Sequence, residues 1–318
     1  MAAITLIEAL KLAVNNGETK RAGVIATFAR TSAWLARIPF RSIPGNAYAY
    51  NQEAALPGIA FRGVNEGYVP SAGVINPASE ALRIAGGDLD VDVAIVKMLG
   101  EGTRAAHEQM KTKALAQAMT IKLIKGDSTV DPREFDGLQA RIRVGGPQFI
   151  AAGTTDAGDP LSLWLLDDLL RRVSGPNKRL WMNATLAARL TQAARNPNVG
   201  GYIQWRPDEF GRQVMSYNGV PIDVAYPDND GDEPLDFDEQ GDLAGTPGGS
   251  TSSSVYAVSL GEGYTSGIQN APMEVRDLGE LQSTPVFRTR VEWLAGLVVE
   301  HPKAIARLGG VSNAPVVV

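Results

Sequence analysis

The stretch IPFRSIPGNAYAYNQEAALPGIAFRGVNEGYVPSAGVI, residues 38–75, decides how the fold of this chain is interpreted. Its middle alternates large and small residues as two β-strands do, with Tyr48 and Tyr50 on the first strand and Ile59 and Phe61 on the second. An isolated two-stranded hairpin is only marginally stable in water. The apolar faces of this long hairpin therefore need a partner, and the neighbouring sequence does not obviously supply one.

Composition excludes several classes of function. The chain has 318 residues, 44% of them hydrophobic, which allows one large or two medium domains with a real core. A net charge of −5 argues against a protein that grips nucleic acid through a basic surface. There is no cysteine, so disulfides and thiolate metal sites are excluded. His107 and His301 are the two histidines, too few for a zinc site with several histidine ligands.

The N-terminal segment predicts a helix and no targeting signal. Glu8 and Lys11 interrupt the apolar run and no basic region precedes it, so it is not a secretory signal. No stretch approaches the ~20 apolar residues of a membrane span, and we expect the chain to be cytosolic when made. Thr5 and Glu8 fit a capping box, which predicts a helix over roughly 5–15, followed by an arm extending to Phe40. The alternative is that this helix belongs to an ordinary core.

A long helix is predicted over about 90–125. Asp88, Asp90 and Asp92 crowd its start, where carboxylates cap free N–H groups, and Lys122 and Lys125 lie near its end. A helix of about 30 residues would be about 45–50 Å long and would span the molecule like a beam. We expect a bend at the glycines of its first turns.

Two sides of this helix differ in character. One is charged with alternating sign and is expected to be a solvated face laced by local ion pairs: Lys97, Glu101, Arg104, Glu108 and Lys111. The other is thin and apolar: Ile95, Leu99, Ala106, Met110, Ala114, Ala118 and Ile121. The two glycines expected to bend the helix are Gly100 and Gly102.

The second half alternates helices with strands, which predicts an α/β lobe. DPLSLWLLDDLLRRVSGPN and LAARLTQAARNP predict helices in this lobe, and KRLWMNATL predicts a buried strand. FDGLQARI, which follows the long helix and precedes the lobe, is strand-like. Asn218-Gly219 predicts a hairpin turn within RQVMSYNGVPIDVAY. SSVYAVSL and GYTSGI predict further strands, and PVFRTRVEWLAGLVV predicts a long strand that returns to the beam helix.

One acidic loop imitates a calcium site. Carboxylates occupy the first, third, fifth, ninth and twelfth positions of a calcium loop: Asp228, Asp230, Asp232, Asp236 and Glu239. Glu233 stands where the sharp turn needs glycine, and the flanks are not two helices. A solvated acidic insertion over 227–254, running into GTPGGSTSSS, is therefore favoured over calcium binding.

The other candidate motifs are incomplete. DLDVD matches a metal loop for only five residues, GEGYTSG lacks the dinucleotide-binding spacing, and neither a phosphate-binding P-loop nor a G-x-S-x-G motif is present. His107 and His301 are interpreted as structural. The sequence therefore predicts no catalytic residues, no metal site and no cofactor.

The order of these elements, taken together, resembles the major capsid proteins of tailed bacteriophages. LPGIAFRGVNEGYVPSAGVINPASEALRIAGGDLDVD leads into the long helix, IKGDSTVDPREFDGL closes it, NGVPIDVAYPDND follows in the lobe, and RVEWLAGLVVEHPKAIARLGGV ends the chain. The resemblance implies an α+β fold. Its parts are an N-terminal arm (1–39), an E-loop hairpin (40–75), a P-domain with a spine helix (76–150 and 280–318) and a mixed α/β A-domain (151–279).

The resemblance also implies a function in assembly. The hairpin would pack on the spine helix of a neighbouring subunit through Tyr48, Tyr50, Leu56, Ile59, Phe61 and Tyr68. The arm would reach across a neighbour through Leu6, Leu10 and Trp34. Hexamers and pentamers would close an icosahedral head around double-stranded DNA without sequence-specific binding. The implied partners are a portal protein, a separate scaffolding protein and a decoration protein, in a virion assembled in the host cytoplasm and without a membrane.

Two departures and two rival interpretations remain. No lysine lies between Lys20 and Lys97, so the covalent cross-link that some family members form from an E-loop lysine is not expected. Some family members carry a scaffolding domain of about a hundred residues before the arm, whereas this sequence begins almost at the arm. Either a separate scaffold exists or the sequence is the processed form, and Met1 favours the separate scaffold. The nearest rival is an encapsulin-like compartment that encloses protein. The more distant rival is a two-lobed enzyme or ligand-binding protein with a concave polar site.

Overall fold

The computed structural model describes residues 3–197, 199, 201–207, 213–226, 233–240 and 250–318. Its helices are α1 (Leu6–Asn15), α2 (Thr19–Thr31), α3 (Ala33–Arg37), α4 (Val93–Leu99), α5 (Glu101–Lys125), α6 (Leu138–Arg141), α7 (Leu163–Arg172) and α8 (Ala184–Ala193). Its strands are β1 (Phe40–Ser42), β2 (Ala47–Ala55), β3 (Val74–Ala81), β4 (Arg83–Asp92), β5 (Phe149–Ala151), β6 (Lys178–Asn183), β7 (Ile203–Pro207), β8 (Gln213–Tyr217), β9 (Val220–Ala225), β10 (Glu239–Gln240), β11 (Ser250–Ser259), β12 (Thr265–Gln269), β13 (Glu274–Glu280), β14 (Val286–Val299) and β15 (Ile305–Ser312).

The strands form three sheets within the described residues. A 5-stranded sheet has the order β1-β12-β14-β13, with β4 also paired to β14. An 8-stranded sheet has the order β5-β15-β11-β6-β9-β8-β7, with β10 on β11. The third sheet is the 2-stranded hairpin β2-β3. Helices and mixed sheets in this arrangement confirm the predicted α+β class.

Strand β14 organises the first sheet as its alternation predicted. Thr289, Val291 and Trp293 are buried, whereas Arg288 and Arg290, which alternate with them along the strand, point to the other face. β14 pairs with β4 from Val286 opposite Asp92 to Ala295 opposite Arg83. The returning strand therefore rejoins the sheet that leads into the long helix.

Most local predictions for the second half are confirmed. Helices α7 and α8 and strand β6 form where the patterns indicated. The turn between β8 and β9 is the Asn218-Gly219 pair, with φ of 47° and 79°, the conformation that favours these two residues in a hairpin. At these places the local sequence alone was sufficient to predict the structure.

Two predictions for the region that follows the long helix were wrong. The strand-like segment FDGLQARI contains the one-turn helix α6, because Leu138 is buried and Arg141 is tied to the carbonyl oxygens of Asp136 and Leu297. The end of the chain does not stay with the first sheet. β15 lies between β5 and β11 in the 8-stranded sheet, so residues 305–312 belong with the lobe.

The main hydrophobic core joins the N-terminal helices to both large sheets. Trp293 is fully buried against Phe28 and Phe40, with ring centroids 6.1 and 4.8 Å away. Phe40 pairs with Gly267 across β1 and β12, and a Cβ on that glycine would lie 2.3 Å from the ring. The glycine is required by this close approach.

Candidate assembly surface

The hairpin is formed by different residues from those predicted. Its second strand is Val74–Ala81, and Ile59 and Phe61 lie instead in the connecting segment 56–73. Prolines and glycines prevent a strand there, because proline removes a ladder donor and glycine weakens a strand: Pro57, Gly58, Gly63, Gly67, Pro70 and Gly73. We call residues 56–73 the tip.

The tip is strongly apolar and strongly exposed. Phe61 has 103% of its reference surface exposed and Ile59 has 92%. The other large apolar side chains of the tip are also exposed: Leu56, Val64, Tyr68 and Val69. A concentration of exposed apolar side chains of this kind marks an interaction site in a soluble protein.

The base of the hairpin is anchored to its own subunit through Tyr48 and Tyr50. Their rings stack with centroids 6.0 Å apart against the core cluster of Ile43 and Leu82. The Tyr48 hydroxyl donates to Glu300 at 2.9 Å, and burial together with this carboxylate raises the Tyr48 pKa. These two tyrosines, predicted as contacts to a neighbour, contact the subunit itself.

Arginines hold both strands at this base. Arg41 donates to the Tyr48 hydroxyl and lies 5.2 Å from the centroid of that ring. Arg141 bonds to Glu80 at 2.6 Å, and Glu80 lies opposite Tyr48 in the strand pair. The tip therefore projects from a fixed base.

The first helix of this region begins at Val93, later in the chain than predicted. Asp88 and Asp90 lie in β4, where the DLDVD alternation is that of a strand, and they pair with Arg290 and Arg288 at 2.6 Å. These hydrogen bonds from arginine hold the pKa of both carboxyl groups below the usual value. Asp92 is the residue that caps, accepting from the Ala94 amide at 2.7 Å.

The predicted bend is a break at Gly100, whose φ is +88°, between α4 and α5. α5 has 25 residues, about 37 Å, and ends at Gly126 as expected. The single long helix that the sequence predicted is therefore two helices, α4 and α5.

The charged side of α5 faces the protein for much of its length. Arg104 pairs with Asp277 at 2.5 Å and donates to Thr289, whose hydroxyl in turn donates to Glu108 at 2.7 Å. The predicted solvated face was wrong here, because the first sheet supplies polar partners for these side chains. Lys97 on α4 is exposed as expected.

The apolar side of α5 faces outward instead. We call the exposed residues on this side the stripe: Ala106, Met110, Ala114 and Ala118. Their spacing of four residues places them along one helix face for about 18 Å. Met110 is 65% exposed. Because this face is exposed and most of its side chains are small, the backbone of a second chain can approach it closely.

The N-terminal residues do not form an extended arm. α1 has the predicted capping box, but α2 and α3 follow it, and Leu6 and Trp34 are buried while Leu10 packs against the same core. The Trp34 indole stacks on Trp181 at 5.2 Å and donates to the Asp223 carbonyl oxygen at 3.0 Å. The structure therefore favours the ordinary-core alternative, and these three side chains offer little free surface to a neighbour.

The acidic loop gives no metal site in the described part of the chain. Asp228, Asp230 and Asp232 lie outside the described residues. Glu239 is buried and pairs with Arg307 at 2.9 Å, so a cation of the same chain already balances its charge. No group of three or more histidine, aspartate or glutamate residues among those described could hold a metal ion. No described helix is long and apolar enough to cross a membrane.

Comparison with known proteins agrees with this architecture. The model of the family described as Major capsid protein GP7 matches residues 16–168, just under half of the chain. No curated protein matches. The holo-SrpI encapsulin complex from Synechococcus elongatus PCC 7942 is similar in structure, with TM-score 0.63 and 17% identity over 90% of this chain and 89% of that chain.

Two further solved structures share the fold. Microbacterium phage Oxtober96 aligns with TM-score 0.59 and 12% identity, covering 87% of this chain and 90% of that chain. The capsid of a native GTA particle aligns with TM-score 0.55 and 13% identity, covering 86% and 88%. These likenesses establish the phage capsid fold across most of the chain.

Proposed function

We propose that this chain is a member of the family of phage major capsid proteins and is the repeating subunit of an icosahedral phage head. The observation that carries the proposal is the exposed apolar tip on a rigid base. A side chain as large as Phe61 gains from burial only outside its own subunit. Large buried aromatics dominate the binding energy of protein interfaces.

The tip of one subunit docks on the stripe of a neighbour. Both surfaces are apolar and uncovered in the subunit, and the small alanines admit the bulky tip residues Ile59 and Phe61. The remaining predicted contacts from the tip are Leu56 and Tyr68. Tyr48 and Tyr50 act indirectly, by fixing the base of the hairpin.

The named parts of the family fold have changed limits in this chain. The E-loop is the hairpin with its tip, from 47 to 81. The P-domain is the 5-stranded sheet with α5 as its spine. The A-domain is the 8-stranded sheet with α7 and α8, and it includes β15.

The assembled particle has hexamers and pentamers around double-stranded DNA, which it encloses without reading sequence. Its further partners are a portal protein, a separate scaffolding protein and a decoration protein, and it is assembled in the host cytoplasm. The role is structural and not enzymatic. The net charge of −5 supports a wall that does not trap DNA.

The similarity to an encapsulin complex favours a second candidate, a shell that encloses protein. The family match over residues 16–168 favours the phage head. Particles purified from the native source distinguish the two, because one contains nuclease-protected DNA and the other contains an enzyme.

The experiment that tests tip docking replaces both Ile59 and Phe61 with alanine. We expect a folded subunit with unchanged melting temperature that no longer forms particles on a sizing column or in electron micrographs. Val130→Ala, which truncates an exposed apolar side chain outside the hairpin, is the control and should assemble normally. Normal particles from the double variant would contradict the docking.

A further inference from the structure

The tip is closed on itself by polar contacts. The Glu66 carboxylate accepts from the Gly63 amide at 2.8 Å. Arg62 donates to the Glu66 carbonyl oxygen at 3.2 Å, and its guanidinium lies 5.2 Å from the centroid of the Tyr68 ring. Residues 62–68 therefore form a turn with its own internal support.

A second contact closes the tip nearer its base. The Ser71 hydroxyl donates to the Gly58 carbonyl oxygen at 2.7 Å. A Cβ built on Gly58 would lie 3.9 Å from the Cβ of Ser71. The two arms of the tip therefore lie close enough for Ser71 on one arm to contact Gly58 on the other.

Apart from the Tyr68 ring, the large apolar side chains take no part in these closing contacts. Ile59, Phe61 and Val64 are each more than nine-tenths exposed. An ordinary long loop folds over its own apolar residues, but this one holds its shape with Arg62, Glu66 and Ser71 and presents its apolar side chains outward. Shape and contact surface are therefore supplied largely by different residues, with Tyr68 contributing to both.

We infer that the tip is a preformed docking surface that binds a second copy of this chain in the closed shape it has in the free subunit. Arg62 and Glu66 are its positioning residues. A loop that is already ordered loses less conformational freedom on binding, so it binds more tightly than a loose loop with the same apolar contacts. This inference rests on the proposed docking of the tip on a second subunit.

A reversible lock tests the inference directly. The double variant Gly58→Cys/Ser71→Cys has the Cβ separation of a disulfide, about 3.5–4.5 Å, and the chain has no other cysteine to compete. The same protein is compared oxidised and reduced, measuring the subunit concentration at which particles first form. The oxidised form should assemble at an equal or lower concentration than the reduced form.

If the oxidised double variant did not assemble and its reduced form did, the tip would have to open in order to dock. That result would overturn the inference. It would leave the proposed function intact. Absence of particles from the unmodified chain, both alone and with a scaffolding protein added, would overturn the proposed function itself. The two failures are therefore distinguishable.

Arg62→Ala separates positioning from direct contact. We expect it to raise the concentration needed for assembly by about two- to tenfold, the cost of ordering a side chain or two, at an unchanged melting temperature. Glu66→Gln keeps an oxygen that accepts from the Gly63 amide and should assemble better than Glu66→Ala. When Arg62→Ala is added to the oxidised, disulfide-locked double variant, its effect should largely disappear. A defect as large with the lock as without it would show that Arg62 touches the partner and does not position the tip.

Discussion

Trp34 is the residue at which the core and interface interpretations differ most. Its ring is stacked on Trp181 and its N–H is used inside the subunit. Trp34→Ala should lower the free energy of unfolding by about 3–5 kcal/mol, because a large buried side chain is lost and a cavity remains. Urea unfolding of the unassembled subunit measures this. A subunit of normal stability that fails to assemble would instead make Trp34 an interface residue.

Two glycines make a matched pair with opposite expected signs. Gly267→Ala would drive a methyl group into the Phe40 ring, and should lower the free energy of unfolding by about 1–3 kcal/mol or more. Gly23→Ala, within α2, meets nothing within 4 Å and should raise it by about 0.5–1 kcal/mol. Thermal unfolding of both variants provides the comparison. Equal effects would mean that β1 and β12 are not paired as described.

The ion pairs between β4 and β14 predict a dependence on pH. Asp88 and Asp90 have lowered pKa values in the folded chain, so their stabilisation is complete above the unfolded pKa of about 3.9 and is lost as the pH falls through the folded values. Asp88→Asn/Asp90→Asn should therefore be less stable than the unmodified chain at pH 7 and nearly equal to it once the pH lies below the folded pKa values of both carboxyl groups. Urea unfolding at pH 7 and across the acid range is the measurement. The same difference at every pH would contradict the assignment.

At the scale of elements, the outward face of α5 carries the main prediction. Ala114→Glu places a long charged side chain in the middle of the stripe. The subunit should fold with a stability within about 0.5 kcal/mol of the original, as for other surface changes, and should fail to form particles. Ala114→Ser keeps the size and should assemble. Particle yield by sizing and microscopy decides, and efficient assembly of Ala114→Glu would remove the stripe from the interface.

The elements also show how far local sequence patterns reach. The Thr5 capping box, the Asn218-Gly219 turn and the alternation of β14 depend on nearest neighbours, and all were predictable. The orientation of α5 was not, because its charged side turns inward to partners far along the chain, such as Asp277. The prediction of a strand through Ile59 and Phe61 was wrong for a related reason. Ile59 and Phe61 have strand-forming side chains, but the prolines and glycines around them decide the backbone.

For the whole molecule, the absence of lysine between Lys20 and Lys97 carries a further prediction. A covalent cross-link from a lysine of the hairpin cannot form, so the shell is held by noncovalent contacts, with or without a decoration protein. Mature particles boiled in detergent should run as a single band at the mass of the subunit, 33.8 kDa. A ladder of covalent oligomers would refute this.

The measurement that bears most directly on the central claim is the mass of the purified chain by light scattering on a sizing column, followed by electron microscopy of the leading peak. Because the tip and the stripe are both exposed in the free subunit, the subunit should assemble. We expect megadalton angular shells, or flat hexamers and pentamers, from the chain alone or when a scaffolding protein is added. A monodisperse monomer or dimer under both conditions would contradict the account and leave the exposed tip without a function.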